Sequence, residues 1–362
     1  MSAVPEIQAS RCVRYRFRYS ACQRCEQACP HDAIVLSDEG AVIASERCRH
    51  CGLCVGACRT EAFTDASLSP MALIDQARGR SSFSFACAPS GADADAVVPC
   101  LGALGPALLA FLVKQGTALH LAGSDHCADC SHGARGSEQL AASLDAVESL
   151  RVADDTGSWA GVSLVQRQST GAGQSDDRRA ARRQFFRRLA RVGENAAQRG
   201  AAARAAAAPL RAIRAARVAP GAQRDLLQLL GLTVAGVPLA AHPSLPFGDV
   251  RLEPGCSSCE ACARACPTGA LQVRENGSAW ALGFDASRCV GCGVCVEACQ
   301  PRVLHLREAA AADGFARREA VPLHARPKRR CTRCDRSFIA AAHGTLCDVC
   351  AGDELDFDAI FG

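Results

Sequence analysis

Cys256-Ser257-Ser258-Cys259-Glu260-Ala261-Cys262-Ala263-Arg264-Ala265-Cys266-Pro267 spaces four cysteines as Cys-x2-Cys-x2-Cys-x3-Cys, and Cys289, Cys292, Cys295 and Cys299 repeat that spacing. Cys48, Cys51, Cys54 and Cys58 form a third copy. A fourth is incomplete: Cys22, Cys25 and Cys29 keep the x2 and x3 spacings, but Cys12 precedes them by nine intervening residues instead of two. Three thiolates on one tight loop suit three corners of an iron–sulfur cube. Structural zinc is the bland alternative, but zinc sites seldom take four evenly spaced cysteines from one run.

Outward from these runs, a shared tail follows three of them: Cys29-Pro30-His31-Asp32-Ala33, Cys58-Arg59-Thr60-Glu61-Ala62 and Cys266-Pro267-Thr268-Gly269-Ala270. The copies pair as 12–58 and 256–299, so the repeat predicts two modules of two. The 362 residues hold 24 cysteines, six sets of four, with only 5% aromatics. Chelated metal, not large aromatic cores, is the expected staple of small domains here. The first twenty residues carry four arginines and no apolar stretch of signal-peptide kind, so a cytoplasmic location with reduced thiols is expected. The longest apolar run, 97–113, is broken by Pro99, Gly102, Gly105 and Pro106 and falls short of a membrane span. Formal charge is +4 with neutral thiols; anionic clusters would reverse its sign, so the basicity is no footprint of nucleic acid.

The runs resemble the bacterial two-cluster [4Fe-4S] ferredoxins over about 12–66 and 250–308. The resemblance implies a βαββαβ module, one-electron transfer between neighbouring cubes, and crossed ligation, in which the last cysteine of each run serves the other cluster. It therefore groups Cys256, Cys259, Cys262 and Cys299; Cys289, Cys292, Cys295 and Cys266; Cys12, Cys22, Cys25 and Cys58; and Cys48, Cys51, Cys54 and Cys29. Two departures matter. Arg59 stands where proline follows the ligand, and Gln300 intervenes before Pro301. In the enlarged Cys12–Cys22 gap, Val13, Tyr15, Phe17 and Tyr19 alternate with polar residues, which predicts an edge strand. The Cys12 centre is expected as [4Fe-4S], with a [3Fe-4S] cluster or an empty site as alternatives. Ser257, Ala261, Gly291 and Gly293 are read as small residues that let backbone amides approach the sulfides.

Between the modules, apolar runs at 83–86, 96–98 and 118–122 and helical patterns at 101–113 and 138–150 predict a β-β-α-β-α unit. Cys87, Cys100, Cys127 and Cys130 fall at the carboxyl ends of its strands, where α/β folds place their sites. A [2Fe-2S] cluster or zinc, buried structural cysteines, and a redox-active Cys127/Cys130 dithiol are the readings. His126 and His132 beside the pair are read as surface residues. Residues 97–130 resemble the small delta-type iron–sulfur subunit of hydrogenases, with a different spacing around Cys127. From Arg178 to Arg217 there are twelve arginines against one acid, Glu194. Ala181-Arg182-Arg183-Gln184-Phe185-Phe186-Arg187 within it resembles a twin-arginine signal, but its internal position reads better as a basic helix or linker. Cys331-x2-Cys334 and Cys347-x2-Cys350 form the knuckle pair of a zinc ribbon, with a rubredoxin-like iron site as rival.

The expected architecture is α+β: a two-cluster module (1–66), an α/β unit (67–160), an Ala/Arg-rich helical linker (161–222), a second two-cluster module (223–320) and a zinc-ribbon-like tail (321–362). No Walker A, dinucleotide or Ser/His/Asp motif appears, so no catalytic site of its own is expected. The sequence reads as an electron-transfer protein or oxidoreductase subunit with four [4Fe-4S] clusters, one zinc and a further centre in the middle unit. Ferredoxin-like subunits suggest a molybdenum or flavin oxidoreductase as partner, such as a formate dehydrogenase, or a hydrogenase-type complex. The alternatives are an assembly or maturation factor for a redox metalloenzyme and a redox-sensing regulator.

Overall fold

The computed structural model describes residues 4–154, 157–166, 217–232, 238–311, 319–340 and 344–352. The arginine run and the twin-arginine-like segment lie outside them, apart from Arg217.

Each cysteine repeat is built from short elements in the order strand, helix, strand, strand, helix, strand. In the first module these are Glu6–Ile7, Arg24–Ala28, Ile34–Ser37, Gly40–Ile43, Leu53–Ala57 and Phe63–Thr64; the outer strands pair antiparallel, and so do the inner two. The second uses Val250–Leu252, Ala261–Ala265, Leu271–Glu275, Ala279–Phe284, Val294–Glu297 and Leu304–Leu306 with the same pairing. The expected edge strand after Cys12 is instead a helix, Val13–Arg16. Alternating Arg and aromatic residues fit either period locally. The tertiary context chooses, because Val13 and Phe17, four residues apart, both bury against Ala265, Val294 and Ala298 of the second module.

The middle unit is a four-stranded parallel sheet in the order Ala96–Val98, Ser82–Cys87, Ala118–Ala122, Val162–Val165. Its fourth strand lies past residue 160, so the sheet continues into the stretch read as linker. Helices Pro106–Lys114 and Gly133–Ala153 accompany it, and Phe83, Phe85, Leu108, Leu109, Leu119 and Leu121 are fully buried. This core also takes in Cys51 and Leu53 from the first module, and Leu226, Leu227 and Leu230 from helix Ala222–Leu229. That helix packs its leucines on the α/β unit, while its buried Arg224 donates to the Cys289 and Ala286 carbonyls of the second module, with which sequence grouped it. Half-buried Glu61 holds the start of this helix, accepting from the Gln223 N–H at 2.8 Å.

The C-terminal stretch is likewise no separate appendage. Strand Val321–Arg330 pairs with Ala279–Phe284, and Ser337–Ile339 extends the sheet beyond it. The basic residues there are engaged: Arg326 Nη2 donates to the Cys256 carbonyl at 2.8 Å, and Lys328 Nζ lies 3.4 Å from a Glu275 carboxylate oxygen.

Candidate metal centres

The loops that carry the cysteines are shaped by left-handed backbone. His50, Gly52, Ser258, Glu260, Gly291 and Gly293 all have positive φ inside the Cys-x2-Cys segments. In all four tails the third residue after the last cysteine does too: Asp32, Glu61, Gly269 and Arg302. This turn aims the next amide back at the thiol. Ala33 N–H donates to Cys29 Sγ at 3.3 Å and Ala62 N–H to Cys58 Sγ at 3.3 Å. The repeated tail seen in sequence thus has a physical reason, since an N–H donor stabilises a thiolate. Thr60 and Thr268, whose hydroxyls lie 3.5 and 3.8 Å from Cys58 and Cys266, were not singled out from sequence, although both follow the ligand by two residues. Gly291 has a further role. A Cβ there would stand 2.2 Å from the Phe247 carbonyl oxygen, so its smallness serves the close approach of another loop.

The sixteen thiols gather across the runs. Cys25 feels the charges of Cys58, Cys12 and Cys22, and burial first, then these neighbours, push its thiol up to about 12. Cys12, Cys22, Cys25 and Cys58 line one cavity despite the enlarged gap. Cys51 is pushed up to about 11, mainly by burial, with Cys29 and Cys48 beside it; Cys54 rises further, with Cys51, Cys48, Cys25 and Cys29 as neighbours. Cys256, Cys259, Cys262 and Cys299 line another common cavity. Cys289 and Cys295 are buried, and both feel Cys266, as does Cys292. Buried thiols crowded in this way stay protonated alone and ionise only against a cationic core. The donor sets therefore suit iron–sulfur clusters, which need four thiolates held apart by the core.

The C-terminal set is tighter. All four sulfurs of Cys331, Cys334, Cys347 and Cys350 lie within 4.8 Å of one another, and Cys334 and Cys347 are 3.7 Å apart. A Zn–S bond of about 2.3 Å in a tetrahedron sets sulfurs roughly 3.8 Å apart. The Cys347 amide donates to Cys331 Sγ at 3.3 Å and, with other backbone donors, pulls that thiol down to about 6. These four cysteines fit a single tetrahedral ion.

The middle cysteines, Cys87, Cys100, Cys127 and Cys130, line a common cavity with His126 and His132. His132 is not a surface residue. It is buried, and its Nδ1 lies 2.9 Å from His31 Nε2 of the first module. Ligand atoms of His31, Cys51 and His132 fall within 4.8 Å of one another. The imidazole pair bonds to itself and Cys51 has Cys29 and Cys48 beside it, so this trio is better described as a bridge than as a separate ion site.

The two modules meet through two arginines, one buried and one half-buried. Arg16, 1% exposed, donates to the carbonyls of Ala265 at 2.8 Å and Arg264 at 2.6 Å. Arg59, at the position of the missing proline, donates to the carbonyls of Gly291 (2.5 Å), His242 (2.9 Å) and Pro243 (3.2 Å). Cys22 and Cys292 pack at this junction, and Cys292 lines the cavity of the Cys12 set.

Residues 4–62 and 255–300 each match the family model of the 4Fe-4S dicluster domain. No curated protein matches the chain. The chain is thus similar in two separate stretches to two-cluster domains, which supports a metal-binding iron–sulfur protein. Such domains point to iron–sulfur electron transfer. Among the described residues, no helix is long and apolar enough to cross a membrane.

Proposed function

We propose that the chain relays single electrons through four [4Fe-4S] clusters held by the crossed cysteine sets. The supporting observation is the junction, where Cys22 of one module and Cys292 of the other pack against the same buried cluster and Cys292 feels the charge of Cys22. The sets then run in one line: Cys256/259/262/299, Cys266/289/292/295, Cys12/22/25/58, Cys29/48/51/54. Bound clusters supply reversible one-electron chemistry; the chain positions the thiolates, aims amides at them and excludes water. Cys259 is exposed, which makes the first set the end open to an outside partner. In this reading the partner is a redox enzyme of molybdenum or flavin type. The C-terminal four-thiol site binds zinc and buttresses that same end through the shared sheet.

Anaerobically purified protein is expected to hold about 16 iron and 16 labile sulfide in the two modules, with EPR of the reduced form showing interacting low-spin centres. A chain without labile sulfide would overturn the relay. Cys334→Ser is expected to release one zinc and loosen residues 337–352, because so short a segment has little core without metal. Cluster absorbance should persist. Loss of an isolated-iron spectrum in place of zinc would show the rubredoxin-like alternative.

A further inference from the structure

We propose that strand Val321–Arg330 clamps the ligand loop of the Cys256/259/262/299 centre, with Arg326 and Trp280 as the positioning residues. The inference rests on the relay reading, which makes this centre the end that meets the partner, and concerns how that end keeps its shape.

The loop is strained. Ser258 and Glu260 hold left-handed backbone, with φ of 59° and 62°. The matching positions of the neighbouring run are Gly291 and Gly293, and those of the Cys48 run are His50 and Gly52. Of these three runs, only the Cys256 run sets a residue with a Cβ at both positions, a conformation that L residues resist. Such backbone persists where its surroundings over-determine it.

Two side chains do so here. Arg326 Nη2 donates to the Cys256 carbonyl at 2.8 Å, at the start of the loop. Trp280 Nε1 donates to Glu260 Oε1 at 3.1 Å, at its second left-handed residue. Trp280 and Arg326 stand opposite each other in the pairing of Ala279–Phe284 with Val321–Arg330, so one register presents both donors. Each donor is itself fixed. Trp280 is 1% exposed, Arg326 Nε donates to His324 Nε2 at 3.0 Å, and the His324 ring stands edge-on to Trp280. Held in this way, the loop turns the Ser258 amide onto Cys256 Sγ at 3.5 Å while Cys259 stays exposed. The strand that leads to the C-terminal four-thiol site thus shapes the open end of the second module.

The test follows conversion of this centre to its three-iron form when anaerobically purified holo-protein is oxidised by ferricyanide, read by EPR; the signal altered in Cys259→Ser identifies the centre. Arg326→Met and Trp280→Phe should each convert it about tenfold faster than the parent, the factor that one lost charge-assisted hydrogen bond is worth. The other three centres should keep parental rates, and Arg326→Lys, which retains a charged donor, should stay closer to the parent. Ser258→Gly separates loop shape from general stability. It should change little in the parent but recover most of the loss in Arg326→Met, a non-additive cycle. If Arg326→Met does not fold, Trp280→Phe with Ser258→Gly completes the same cycle. Additive effects, faster conversion at every centre alike, or parental rates in both single variants would overturn the clamp. Failure of the relay reading shows separately, as a parent whose reduced centres lack spin coupling to one another.

Discussion

Cys58→Ser is expected to disrupt the centre of Cys12, Cys22 and Cys25, and to leave the centre of its own run, Cys48, Cys51 and Cys54, in place. The Cys58 thiol is pushed up by burial, and Cys12 is the charged neighbour beside it. The Cys25 thiol in turn feels Cys58 before any other charge. Ser lacks the soft thiolate that iron prefers, and its shorter C–O bond cannot reach the same corner. Loss of about four iron, or conversion to a three-iron signal, should follow. Additivity sharpens the test. Cys25→Ser/Cys58→Ser should lose no more iron than the worse single variant, because both residues serve one centre, whereas Cys54→Ser/Cys58→Ser should lose about twice as much. If Cys54 and Cys58 instead fail to add, the run ligates its own cluster and the crossed sets are wrong.

The cysteine spacings and the three apolar runs of the middle unit could be read because each is local: ligands three residues apart share a loop, and buried parallel strands show as short unbroken apolar stretches. Residues whose meaning depends on a distant partner could not. Val13 and Phe17 alternate like a strand, yet they pack as a helix because the second module covers them. His132 looked like a surface histidine beside Cys130; only the fold brings His31 to it across a hundred residues. Leu226 and Leu227 precede the second module in sequence but fill the core of the α/β unit. Arg59 could be seen only as a missing proline. The segment Val321–Arg330 falls in the stretch read as a separate tail, but pairing with Ala279–Phe284 makes it a sheet strand beside the second module.

Arg59→Leu is expected to lower the reduction potentials of the two centres at the module junction and to spare the outer two. Burial draws the Arg59 guanidinium down to about 10, with nearby Arg24 acting the same way, while the thiols of Cys292, Cys289 and Cys22 oppose both. The residue is therefore a cation placed between two anionic centres. Adding an electron makes each centre more negative, so a nearby positive charge favours reduction and its removal must shift the potentials downward. One unit charge at about 6–10 Å, with an effective dielectric near 20, amounts to roughly 1.7–2.8 kcal/mol, or about 70–120 mV for a one-electron couple. Leu also deletes the donors to Gly291, His242 and Pro243, which should cost about 1–3 kcal/mol of stability, chiefly as the buried Gly291 carbonyl loses its partner. Arg59→Lys separates the two effects. Lysine keeps the charge without the planar fork, so the potentials should stay near the parent's while stability still falls. EPR-monitored redox titration of parent, Leu and Lys variants reads the potentials, and urea unfolding reads the stability. Equal shifts in all four centres, or a Lys variant shifted as far as Leu, would mean that the arginine acts through packing at the junction and not through its charge.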